Sequence, residues 1–107
     1  MATPYRSLYL TFPDPETALR IARTLLEARL VACVNVLRGA RSLYWWEGSV
    51  HDEPEVVAVA KTREHLVAAV GALVRELHPY DTPCIVAWPI AEGDAGYLDW
   101  IDEALAG

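Results

Sequence analysis

Two strand-like segments meet at Gly48, and together they are too long for the rest of the chain to cover. "VACVNVL" (31–37) breaks at Arg38-Gly39-Ala40, resumes as "RSLYWWEG" and turns at Gly48, and "SVHDEPEVVAVAKT" runs back. Strands of roughly 14–16 residues reach about 45–50 Å when extended, whereas two helical segments of about 14 residues span roughly 21 Å each. The hairpin is expected to overshoot its own domain. Its distal part carries Leu43, Tyr44, Trp45, Trp46 and Val50, an aromatic load that a lone chain leaves in water as one contiguous patch. Two arrangements answer that: the break at 38–40 folds the ribbon back on its own domain, or a partner subunit covers it. Pro54 lacks an amide donor, so the first half of the returning strand is expected to be irregular or at an edge, with a regular ladder only from about Val56.

The remaining segments fix the order of elements. "YRSLYLTF" (5–12) alternates, with Leu8, Leu10 and Phe12 on one face, which is the period of a strand. A helix follows, with Asp14 as N-cap and Pro15 in its first position, and Ala18, Ile21, Ala22, Leu25 and Leu26 recur at helical spacing. Thr62 is expected to cap a second helix, "REHLVAAVGALVREL", whose buried stripe reads Leu66, Val70, Leu73 and Leu77 and which Pro79 ends. "PCIVAWPI" (83–90) reads as a short strand covered on both faces, and Asp94 opens a last helix with Tyr97, Leu98, Ile101 and Leu105 on its apolar side. The order β-α-β-β-α-β plus a terminal helix predicts one α+β domain over 1–107, a ferredoxin-like sandwich with sheet order 4-1-3-2.

Charge and composition exclude several functions. With 15 acidic against 9 basic residues, the net charge of −6 offers no field for a phosphate backbone. The strand "EVVAVAKT" also lacks the stacking aromatics of RNA-binding modules on this fold. The N-terminus shows no signal-peptide pattern and no apolar run approaches the 18 or so residues of a membrane span, so the expectation is a soluble cytoplasmic protein without nucleic-acid or membrane partners. There is no Ser-His-Asp order, Gly-rich phosphate loop, paired-His helix or carboxylate dyad, and no enzyme is expected.

"VACVNVL", "SLYWWEG", "EVVAVAKT", "LHPYDTP" and "YLDWI" stand in one order and spacing that resembles the CutA family, the divalent-cation tolerance proteins. The resemblance covers nearly the whole chain. It implies a ferredoxin-like fold, a homotrimer reminiscent of PII signalling proteins whose long hairpins wrap neighbouring subunits at Tyr44, Trp45 and Trp46, and a role in tolerance to copper and other divalent cations. Cys33 and His78 match positions discussed in the family as copper ligands. Leu10 and Leu77 stand where some members carry a further cysteine and histidine, and Cys84 stands where the family usually has glutamate.

Weighed as residues, Cys33 reads either as a soft copper donor or as a small apolar strand residue. His78 reads either as a ligand or as a helix-end histidine bonding free carbonyls. Cys84 adds a thiol, so Cys33, His78 and Cys84 form the one soft donor set available for copper. The sheet order puts the two cysteines on opposite edges, about 14 Å apart, beyond the roughly 7 Å limit of a disulfide, so a shared site needs two subunits. Lys61, the only lysine, reads as a solvated strand end or as a cationic anchor that, with Tyr80 and Trp100, lines an inter-subunit cleft for a small anion. His51 and His65 read as surface residues. A metal-handling trimer, a PII-like anion sensor and a trimeric scaffold for other proteins remain as the functional classes.

Overall fold

A computed structural model describes residues 3–107. The elements are β1 (Tyr5–Phe12), α1 (Pro15–Glu27), β2 (Cys33–Trp46), β3 (Ser49–Arg63), a 3-10 turn (Glu64–Leu66), α2 (Val67–Leu77), β4 (Ile85–Pro89) and α3 (Ala95–Ala106). The strands form one antiparallel sheet in the order β2-β3-β1-β4, the expected 4-1-3-2 read from the other edge. Alternation dictates which residues enter the core. Leu8, Leu10 and Phe12 of β1 and Val56, Ala58 and Ala60 of β3 are buried on one face, against Ala18, Ile21 and Leu25 of α1 and Val70 and Val74 of α2. Asp14 caps α1 as expected, accepting the Thr17 N–H at 2.8 Å.

Three local expectations are corrected. The ladder of the hairpin is continuous from Trp46↔Ser49 through Arg41↔Pro54, and its one irregularity lies on β2, between Leu37 and Ala40. There Gly39 takes φ +89°, a left-handed conformation that a side chain would strain. Pro54 has the edge setting that was one of its two expected placements: β1 ends opposite Val56, so beyond that point β3 pairs with β2 alone. Thr62 does not cap α2: it is the buried penultimate residue of β3, its hydroxyl donates to the Leu30 carbonyl at 2.7 Å, and the helix is entered through the 3-10 turn without a side-chain cap. The stripe of α2 is centred on Val70, Gly71 and Val74, with Leu73 and Leu77 at its margin.

The hairpin overshoots as its length requires. Ser49–Glu55 lie beyond the last residue of β1, which at about 3.3 Å per residue carries the tip about 23 Å out, and the molecule is 44 Å long against 28 and 23 Å across. Glu47 and Gly48 both have positive φ in a two-residue turn, the geometry whose twist matches that of the flanking strands. The ribbon extends away from the domain and does not fold back at 38–40. Leu43, Tyr44, Trp45, Trp46 and Val50 are all exposed.

Candidate functional site

The face of the sheet opposite α1 and α2 is half-bare. Alternation places Cys33, Asn35 and Leu37 of β2, Val57, Val59, Lys61 and Arg63 of β3, Ser7, Tyr9 and Thr11 of β1, and Val86 and Trp88 of β4 on it. Trp88 and Val86 are exposed, which corrects the expectation of a β4 covered on both sides: in the single chain only the α-helical side is covered. Trp88 leans edge-on against Tyr9 with 5.6 Å between ring centroids.

One end of this face is closed by α3. Cys33, at the start of β2, pairs with Lys61, and the next row along β3 pairs Arg63 with Tyr5. The Tyr97 hydroxyl stands 3.4 Å from the Cys33 sulfur and its ring stacks on Trp100 at 5.7 Å. The bond to Cys33 first, and burial second, push the Tyr97 phenol up to about 12. One residue pair further on, Asp102 accepts the Tyr5 hydroxyl at 2.7 Å and pairs with Arg63, whose guanidinium also lies over the Tyr5 ring. Those donors, Tyr5 before Arg63, hold the Asp102 carboxyl below the usual carboxylate range.

The other end is built around the loop after α2. His78 is buried, stacked on Phe12 at 5.0 Å. Its Nδ1 accepts the Tyr80 N–H at 3.1 Å, so Nε2 carries the proton and donates to the Thr11 carbonyl at 2.7 Å. Tyr80 reaches across to the hairpin root and donates to Glu55 at 3.0 Å. Burial first and that carboxylate second lift the Tyr80 phenol far above its ordinary range. Cys84 lies in the same neighbourhood, and burial, then the charge of Glu55, push its thiol up.

The donor set does not converge within one chain. Cys33 and Cys84 are separated by three strand spacings, about 14 Å, and by about 13 Å along the strands; both are free thiols. His78 has both ring nitrogens engaged, Nε2 on the Thr11 carbonyl of β1 and Nδ1 on the Tyr80 N–H of its own loop, a structural role different from the helix-end capping read from sequence. Among the described residues no group of three His, Cys, Asp or Glu side chains is placed to hold a metal ion. Lys61 and Trp100 share the Cys33 end, whereas Tyr80 bonds Glu55, six residues or about 20 Å away along β3. The residues that sequence reasoning missed are Tyr97 as the neighbour of Cys33, and the Tyr5–Arg63–Asp102 group. No local motif marks them, because each contact joins segments far apart in the chain.

Comparison with known proteins gives a consistent relation. The family described as CutA1 divalent ion tolerance protein matches residues 7–104. The chain is 45% identical over 96 residues to the divalent-cation tolerance protein CutA of Pyrococcus horikoshii, covering 90% of this chain and 93% of that protein. It is 46% identical over 94 residues to the protein of the same name from Thermus thermophilus, covering 88% and 91%. The solved structure of the periplasmic divalent cation tolerance protein CutA from Archaeoglobus fulgidus superposes with a TM-score of 0.92 at 44% identity, over 94% of this chain and 98% of that one.

Proposed function

This chain belongs to the CutA1 divalent ion tolerance family, and from that premise we propose that it acts in the response to metal ions as a homotrimer, with copper as the ion its thiols fit best. The observation that carries the assembly is the projecting hairpin: an apolar tip held in water at the end of a two-stranded ribbon, continuous with a half-bare sheet face, has a use once neighbouring subunits cover it. Light scattering should give about three times 11.9 kDa; a monomer at micromolar concentration refutes the assembly.

The metal part of the reading has a condition set by geometry. A single chain holds Cys33 and Cys84 on opposite sheet edges, so a shared two-sulfur site draws them from different subunits. Thiolates suit soft copper(I) and disfavour magnesium, and two sulfurs fall short of the four ligands of a closed zinc site. His78 joins such a site only by giving up its bonds to Thr11 or Tyr80. Titration of copper(I) into the parent and the Cys33→Ser, Cys84→Ser and His78→Ala variants tests this. Loss with either serine variant supports the two-sulfur site, and equal binding by all four proteins refutes it. The relatives are named as tolerance proteins, not enzymes, and we assign no catalytic role.

A second reading has one favouring observation. Lys61 lies half-buried on the open face beside Cys33, a placement suited to a small anion at a subunit junction, with Tyr80 supplied by a neighbouring copy. Lys61→Ala separates the two: it abolishes binding of inorganic phosphate under the anion reading and leaves copper(I) binding intact under the metal reading.

A further inference from the structure

We infer that α3 is an electrostatically latched cover over the Cys33 thiol, and that opening of this helix governs access to the sulfur. The inference deepens the metal reading above and rests on it only for what the thiol does once exposed. Three features of α3 carry it. The helix has a single buried residue, Ile101, so apolar packing holds it weakly compared with α1, which buries four. It is fastened by polar contacts instead: Asp102 to the Tyr5 hydroxyl and Arg63, and the Ala104 carbonyl to Arg29 Nη1 at 2.8 Å. Finally, Tyr97 on its first turns stands against the Cys33 sulfur, five residues before the latch.

The Arg63–Asp102 side chains are 31% and 38% exposed, so solvent and salt reach them and the pair is worth less than a buried one. The charged and titratable groups around Asp102 are Tyr5 from β1, Arg63 from β3 and Asp99 from α3 itself. Residues 91–94 lead into the helix exposed and without regular structure, after the last backbone bond from Ile90 N–H to the Tyr5 carbonyl at 3.1 Å. They can hinge without disturbing the sheet. With the latch closed the Tyr97 hydroxyl stands against the sulfur; with it open that contact is gone, while the pairing of the Cys33 strand to Lys61 is untouched.

The test measures modification of Cys33 by an aromatic disulfide reagent, in which the thiolate attacks the reagent's S–S bond, forms a mixed disulfide and expels an aromatic thiolate. The background is Cys84→Ser, so one thiol reports. Asp102→Asn should raise the rate about tenfold, the factor corresponding to about 1.4 kcal/mol of closing free energy, and Tyr5→Phe should raise it less. Salt at 1 M, where the screening length falls to about 3 Å, should speed the parent and not Asp102→Asn. A rise in either variant that keeps the parent's cooperative melting and mass in solution, together with a parent rate that salt raises, supports the cover. Equal rates in the parent and both variants, or a parent rate indifferent to salt, overturns it. Should both variants lose cooperative melting, the salt response of the parent decides. No metal enters the assay, so copper(I) binding that ignores Cys33→Ser refutes the metal reading and leaves the cover standing.

Discussion

Among the exposed large hydrophobic residues, Trp45 offers the largest exposed fraction for the proposed trimer to cover. It is 75% exposed in the single chain and pairs across the ribbon with Val50, itself exposed. A tryptophan offers about 150–250 Å² to bury, so a neighbour that covers the exposed part of Trp45 removes about 150 Å² from water. Allowing for the part an alanine would still bury, Trp45→Ala forfeits about 120 Å², or about 3 kcal/mol at about 25 cal/mol per Å². That is about two orders of magnitude in the dissociation constant for each contact, and a closed ring of three repeats the contact at every interface. If the tip is instead a wet loop, an exposed substitution costs less than about 0.5 kcal/mol. The two cases differ several-fold, well outside measurement error. Sedimentation equilibrium over a dilution series should show Trp45→Ala dissociating at concentrations where the parent stays associated, with a lower melting temperature. The reasoning fails if the variant keeps both the mass and the melting temperature of the parent while Trp46→Ala does the same.

Three further outcomes follow from the two ends of the sheet. His78→Ala should lower stability by about 2–4 kcal/mol in denaturant unfolding, since it removes a buried ring stacked on Phe12 and strands the Thr11 carbonyl and the Tyr80 N–H; an unchanged midpoint refutes the role assigned to it. Cys84 should be alkylated by iodoacetamide appreciably only at pH values above the ordinary thiol range, because its burial and the charge of Glu55 favour the protonated form. A profile that Glu55→Gln fails to shift downward contradicts the second of those causes. Asp102, with its folded value depressed by Tyr5 and Arg63, contributes stability that is fully present above its unfolded value, near about 3.9, and is lost as the pH falls through the lower folded value. Acid unfolding of the parent and of Asp102→Asn should therefore differ above about pH 4 and draw together as the pH falls below it, meeting only under the depressed folded value, and curves offset equally at every pH would show that the carboxylate charge does not matter.

What was legible in the sequence is what depends on period and end signals. The face of β1, the cap and stripe of α1, the overshoot of the hairpin and the sheet order all follow from alternation, Asp14-Pro15, Gly48 and the order of elements, and the structure has them. The misses share another cause. Pro54 calls for an irregular strand or an edge, and that the edge applies, with a regular ladder to β2 beside it, depends on where β1 stops, at Phe12 opposite Val56. Thr62 has the chemistry of a cap, yet alternation from Val56 carries it into the core, where the Leu30 carbonyl takes its proton. Tyr80 stands at the opposite end of the sheet from Lys61 and Trp100 in one chain, so the cleft expected between subunits has to draw them from two copies.

That separation bears on how the chain can work. The His78–Tyr80–Glu55 bonds tie the loop before β4 to the root of the hairpin, while the Tyr5–Arg63–Asp102 group ties α3 over Cys33 at the far end. β3 is common to both, with Glu55 and Arg63 eight residues apart on one strand, about 26 Å. The strand is stiffened between them by ladders on both sides. A neighbour that grips the projecting hairpin therefore acts on the same rigid strand that carries the latch. The buried end is fastened through a histidine with both nitrogens used, and the exposed end through an ion pair open to solvent, so the α3 end is the one that yields first when conditions change. If the thiol of Cys33 is the working group, the fold has placed it under the weaker of its two fastenings.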